Sequence, residues 1–108
     1  MNLVDSCGWM EYLADGENAD FFAPALMETA KLLVPTLCLF EVFRKVLRER
    51  GEDAALQAAA LMLQGKIVDL DADLALRGAR LSCDHHLPLA DSLILATAQA
   101  NRATLWTQ

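Results

Sequence analysis

Apolar positions along the chain switch repeatedly between short continuous runs and helical spacing. Leu3-Val4 is one such run, read as a short buried strand. Asp5-Ser6 directly after it is a helix-capping pair that predicts a helix from Ser6 to about Leu13. Asp15-Gly16 marks a turn, and Ala19 to Lys31 is helical in pattern, with Pro24 either kinking it or opening its second half. Leu32-Leu33-Val34 reads as a second strand closed by Pro35. Thr36 is placed to cap a helix in which Leu39, Val42, Phe43, Val46 and Leu47 keep the 3.6-residue period up to Gly51, a C-terminal stop. An Ala-rich helix from Glu52 or Asp53 to Gln64 follows, with acids in its first turn as the macrodipole prefers. Gly65 ends it, and Ile67-Val68 makes a third strand.

Asp71 caps a helix reaching about His85, and Pro88 opens another through about Asn101. Leu93, Ile94, Leu95, Ala96 and Ala98 leave that last helix almost no polar face, which predicts a place in the core. Thr104 to Thr107 reads as a fourth strand. Short apolar strands alternating with helices are the pattern of a parallel sheet covered on both faces. Ligands of such sheets bind beyond the carboxyl ends of the strands, where the direction of winding reverses. Asp5, the helix start after Val34 and the segment after Trp106 are expected along that edge.

Composition narrows the class. A chain of 108 residues is one domain's worth. With 55% hydrophobic residues, 20 Leu and 18 Ala against three Pro and five Gly, it is helix-rich and globular rather than disordered. The longest uncharged stretch, Ala54 to Gly65, is 12 residues, short of the roughly 20 needed to span a bilayer. No basic region leads into an apolar segment before Asp5, so a soluble, cytoplasmic chain is expected. Three Cys (Cys7, Cys38, Cys83), an odd number without CxxC spacing, argue against both a disulfide framework and a thiolate zinc site, and read as small reduced hydrophobes. The net charge of −6 repels phosphate. Contact with nucleic acid therefore requires a local basic face or a metal ion that reverses the sign at the site.

Three carboxylates stand in apolar surroundings: Asp5 after Leu3-Val4, Glu41 between Phe40 and Val42, and Asp91 within Leu89-Ala90-Asp91-Ser92-Leu93-Ile94. Each has a purely local reading, respectively an N-cap, an i,i+4 partner for Lys45 and a first-turn acid favoured by the helix dipole. Brought together at one sheet edge they would repel one another by several kcal/mol unless a cation sat among them. Mg²⁺ or Mn²⁺ suits an all-oxygen site, activates water and stabilises displacement at phosphorus.

The opening Leu3-Val4-Asp5-Ser6 with Trp9 following, Val34-Pro35-Thr36 leading into a helix that bears Glu41, the helix start Leu87-Pro88-Leu89-Ala90-Asp91-Ser92 and the closing Thr104-Leu105-Trp106-Thr107-Gln108 together resemble a PIN-domain ribonuclease. Within that family the chain is similar to the VapC toxins of toxin–antitoxin pairs, over essentially its whole length. The resemblance implies a three-layer α/β/α fold with a short central parallel sheet, and a Mg²⁺- or Mn²⁺-dependent endoribonuclease. Its acidic cluster maps onto Asp5, Glu41 and Asp91, with the Ser6 and Thr107 hydroxyls in support. It also implies an RNA substrate, a VapB-like antitoxin, a homodimer and no membrane partner, with Phe21-Phe22 as part of a groove that receives an antitoxin segment. The family's final strand carries a T-x-D pattern. Here Thr107-Gln108 stands without the Asp, and about twenty further residues with another strand would follow. Residues 1–108 are accordingly expected to be a single PIN-like domain, C-terminally truncated relative to the family and short of a fourth carboxylate.

Other residues are less informative. Adjacent His85 and His86 point about 100° apart on a helix and read as a solvated helix end. Arg44, Lys45, Arg48 and Arg50 form the basic cluster, a solvated face or, at Lys45 and Arg48, RNA phosphate contacts. Trp9, Tyr12, Phe21, Phe22, Phe40 and Phe43 read as core or interface aromatics. Two other functions are compatible with an acidic pocket on a small parallel sheet. One is an antitoxin-binding remnant without chemistry. The other is a phospho-receiver module, disfavoured because Asp5 is followed by Ser6 and Cys7 and no Lys follows Lys66.

Overall fold

The interior strands are the ones with unbroken apolar runs. In a computed structural model, which describes residues 1–107, β1 (Asn2–Val4) and β2 (Leu32–Pro35) bury Leu3, Val4 and all four residues of β2. β3 (Lys66–Val68) and β4 (Thr104–Trp106) expose their first residues and half-bury the rest. The sheet order is β3-β2-β1-β4 and every pairing is parallel. Strands covered on both faces and flanked on both sides tolerate only apolar residues; edge strands carry mixed ones. The register sets Asn2 against Leu32 and Thr104, and Pro35 against Val68.

Helices α1 (Ser6–Leu13), α2 (Ala19–Met27), α3 (Thr36–Arg50), α4 (Glu52–Met62), α5 (Ala72–His85) and α6 (Leu89–Ala100) fill the crossovers in pairs. The first two crossovers step in one direction, β1 to β2 to β3. The third returns past β1 to β4, so right-handed connections send its helices to the opposite face and produce the three-layer α/β/α arrangement. One apolar cluster joins the layers: Leu3, Val4, Trp9, Phe22, Val34, Cys38, Val42, Met62 and Ile94 are all members. In α6, Ser92, Leu93, Ile94, Ala96, Thr97 and Ala98 are buried, as its nearly all-apolar composition predicts.

Where local rules and structure differ, tertiary packing is the cause. The predicted helix from Ala19 to Lys31 stops at Met27 and resumes as a 3-10 turn over Thr29–Lys31, because Glu28 leaves helical geometry to aim the chain into β2. Pro24 stays inside α2, where Phe22, Ala25 and Leu26 pin both sides of it against the core. Thr36 is not a cap: the extended backbone of β2 runs through Pro35, which takes that position without a side-chain hydrogen bond. Asp71 does cap α5, accepting from the Leu74 amide at 2.9 Å. Gly51 ends α3 at φ 89°, a conformation that favours glycine. Among the described residues no helix is long and apolar enough to cross a membrane.

Candidate active site

The winding reverses at β1, and the two strands meeting there deliver Asp5 and Thr107 to the carboxyl edge of the sheet. Asp5 is held on every side. Its amide donates to the Trp106 carbonyl at 3.1 Å, its Oδ1 accepts from the Gly8 amide at 2.7 Å as the N-cap of α1, and its Oδ2 accepts from the Thr107 hydroxyl. The N-cap reading of Asp5 is therefore correct, and it leaves the carboxylate at the edge in a fixed orientation. Gly8 makes that orientation possible. A Cβ there would meet Val4 Cγ1 at 2.6 Å and the Phe22 ring at 2.8 Å, so α1 can start this close to β1 and α2 only with glycine.

Glu41 lies in the second turn of α3, half-buried, and accepts from the Ser6 hydroxyl at 2.6 Å. The i,i+4 alternative is absent: among the described residues the ion pairs are Glu28–Lys31 and Asp73–Arg77, and Lys45 pairs with neither Glu41 nor Glu49. Asp91 sits in the first turn of α6 and is exposed. Because α6 feeds a strand parallel to β1, its N-terminus lies at the carboxyl edge.

The thiol of Cys7 reports how these groups are arranged. Burial pushes it above its ordinary value, and the charges of Asp5, Asp91 and Glu41 all push it further, with Lys45 alone opposing them. Cys38 is pushed up to about 12, first by burial and then by Glu41, Asp5 and Cys7, with the Ser6 hydroxyl beside it opposing. Cys38 is buried, whereas Cys7 and Cys83 are exposed, so only one of the three is the small buried hydrophobe the sequence predicts. Lys45 and Arg48 follow Glu41 at i+4 and i+7, which puts them on one exposed face of α3 leading from the acidic edge. His85 and His86 are an exposed helix end, with His86 in the left-handed conformation.

Sequence reasoning did not find Gly8, read the exposed Cys7 as a small hydrophobe, and did not separate Phe21 from Phe22. Phe22 is fully buried, whereas Phe21 is 55% exposed. Phe21 packs at 5.0 Å against Phe22 and at 5.3 Å against Trp106. The indole of Trp106 donates to Asn2 Oδ1 at 3.1 Å. No sequence signal distinguishes the two phenylalanines, since both fall within one turn of an apolar helix.

The PIN domain family model matches residues 3–108. The chain belongs to the PIN-domain family. Solved structures share its fold. A chain of a toxin–antitoxin complex from Klebsiella pneumoniae superposes with a TM-score of 0.80 at 23% identity, covering 97% of this chain and 83% of that one. VapC20 of Mycobacterium tuberculosis, a Sarcin-Ricin loop cleaving toxin, superposes at 0.83 with 18% identity, covering 100% of this chain and 89% of that one. No curated protein sequence matches.

A divalent ion is the group this fold implies, and the donors fit it in kind: three carboxylates, all oxygen, opposed at Cys7 by a single ammonium. Asp5 and Glu41 each engage one oxygen with a hydroxyl. Among the described residues no three His, Cys, Asp or Glu side chains converge closely enough to enclose an ion by themselves, so water would have to complete its shell, as Mg²⁺ commonly allows. Gln108, within the T-x-D pattern, lies outside the described residues.

Proposed function

We propose that the chain is a Mg²⁺- or Mn²⁺-dependent endoribonuclease of the VapC toxin type, acting at the edge formed by Asp5, Glu41 and Asp91. The observation that carries this reading is the fixed orientation of Asp5 at the point where the winding of the sheet reverses, with Glu41 tied to Ser6 one residue along, in a chain of the PIN-domain family. When bound, the ion supplies the positive charge that draws in a phosphodiester and lowers the pKa of water. The protein supplies position. The Gly8 amide and Thr107 hydroxyl fix Asp5, and Ser6 fixes Glu41. Asp91 stands in the first turn of α6, whose N-terminal dipole favours an incoming phosphate. Lys45 and Arg48 extend the contact along α3.

The toxin–antitoxin complex among the structural neighbours supports a VapB-like antitoxin as partner, and we extend the proposal to a homodimer. A phospho-receiver arrangement is disfavoured further by topology: β3 is an edge strand two places from β1, so an acid following it lies far from Asp5.

The test is cleavage of single-stranded RNA with and without chelator, beside thermal melting with added Mn²⁺. An ion held by this site at a hundred times its Kd stabilises the folded chain by about 2.7 kcal/mol. Asp91→Asn is expected to lose both the cleavage and most of that stabilisation. Chelator-insensitive cleavage, or equal stabilisation of Asp91→Asn, would overturn the reading.

A further inference from the structure

Next to the acidic edge lies an open cavity of ~300 Å³ lined by Asn18, Phe21, Phe22 and Thr107, within the size range of small-ligand sites. One wall is the residue that holds Asp5 through its hydroxyl. Another is the ring of Phe21, which is braced edge-on by Phe22 and tilted against Trp106, itself tied to Asn2. The core uses Phe22 and leaves more than half of Phe21 in solvent. The side chain of Asn18 precedes α2 at its N-cap position and makes no capping hydrogen bond, so its amide offers a donor and an acceptor to a ligand.

We propose that Phe21 and Asn18 form a nucleobase subsite, and that the substrate is RNA presenting an unstacked base one step from the phosphate at Asp5. This rests on the nuclease reading and adds to it a base-contacting position beside the acidic edge. An aromatic face accepts any base by stacking, and an amide reads the hydrogen-bonding edge of one. A ring already clamped by two aromatic neighbours loses little freedom on binding. The exposed Phe21 ring beside the Asn18 amide favours a base over an apolar peptide side chain, because a base offers both a π-face and a hydrogen-bonding edge.

The probe is a fluorescently labelled single-stranded RNA oligonucleotide of mixed sequence, together with a series carrying one abasic nucleotide at each position in turn. Affinity, KM and kcat are measured for the parent chain, Phe21→Ala, Phe21→Tyr and Asn18→Ala, with thermal melts as the folding control. Loss of one stack is expected to weaken RNA binding by roughly five- to 150-fold. Phe21→Tyr should restore it. The parent should show a penalty at one abasic position that disappears in Phe21→Ala, which a structural role would not produce. Asn18→Ala should alter base preference at that same position. If the parent cleaves RNA but no position shows this coupling, the subsite is refuted while the nuclease reading stands. A Phe21→Ala chain that binds RNA normally but loses self-association or antitoxin binding also refutes it, and makes the patch a protein interface. A parent that neither binds nor cleaves RNA overturns the nuclease reading itself.

Discussion

Asp5→Asn separates a structural acid from a functional one, because the structure gives each of its oxygens a different partner. Oδ1 caps α1 through the Gly8 amide at 2.7 Å. Asn caps about as well as Asp, so this bond persists at a cost of a few tenths of a kcal/mol. The other oxygen becomes an NH₂ facing the Thr107 hydroxyl, which rotates to accept. A charge-assisted bond is thereby exchanged for a neutral one, a loss of about 1 kcal/mol. Opposing this, removing one of three like charges relieves repulsion from Glu41 and the exposed Asp91, on the order of 1 kcal/mol after solvent screening. The balance is near zero, so Tm should stay within roughly 5 °C of the parent for a domain of this size. RNA cleavage should nevertheless fall by about a hundredfold or more, the usual cost of removing one preorganised electrostatic group. Thermal melts and cleavage assays on the same preparation give both numbers. A variant destabilised by several kcal/mol would make Asp5 essentially a cap, and one that still cleaves at the parental rate would remove it from the site.

Other substitutions test the supports around this edge. Gly8→Ala places a methyl 2.6 Å from Val4 Cγ1 and 2.8 Å from Phe22, and should cost about 1–3 kcal/mol, read as a lower Tm. Burial raises the Cys38 thiol to about 12 from 9.0, so the folded chain keeps a proton that the unfolded chain loses. The associated stability is complete below pH 9 and is lost as pH rises toward 12, by up to about 1.4 kcal/mol per pH unit. Cys38→Ala should be weaker at neutral pH but lack that alkaline slope, and an identical slope in both chains would contradict the assignment. For Lys45→Ala with Arg48→Ala, each lost phosphate contact should flatten the log–log salt dependence of RNA binding by about 0.7. An unchanged slope would leave both as surface charge.

The element types and most boundaries were legible along the chain because their causes are local. Asp5 and Asp71 cap the helices they precede, Gly51 ends α3 in a conformation that favours glycine, and the apolar run in α6 goes to the core. Local rules failed at Thr36 and at the end of α2, where entering or leaving β2 outweighs helix preference by burying Leu32, Leu33 and Val34. Likewise Glu41 has Lys45 at the ideal i,i+4 spacing, yet it takes the Ser6 hydroxyl instead. An exposed ion pair contributes little, and the packing of α1 on α3 brings the hydroxyl within reach.

By itself the sequence determined a parallel α/β domain, its three candidate acids and their place near strand ends and helix starts, since periodicity and capping act over a few residues. Strand order decided the rest. Placing β4 beside β1 brings Thr107 onto Asp5 across 102 positions of chain, and sets the α6 N-terminus with Asp91 at the carboxyl edge. Burying Phe22 while leaving Phe21 beside Trp106 likewise depends on how α2 rotates against the sheet. No local pattern encodes such a choice, because it is made by the packing of segments that meet only when the sheet is complete.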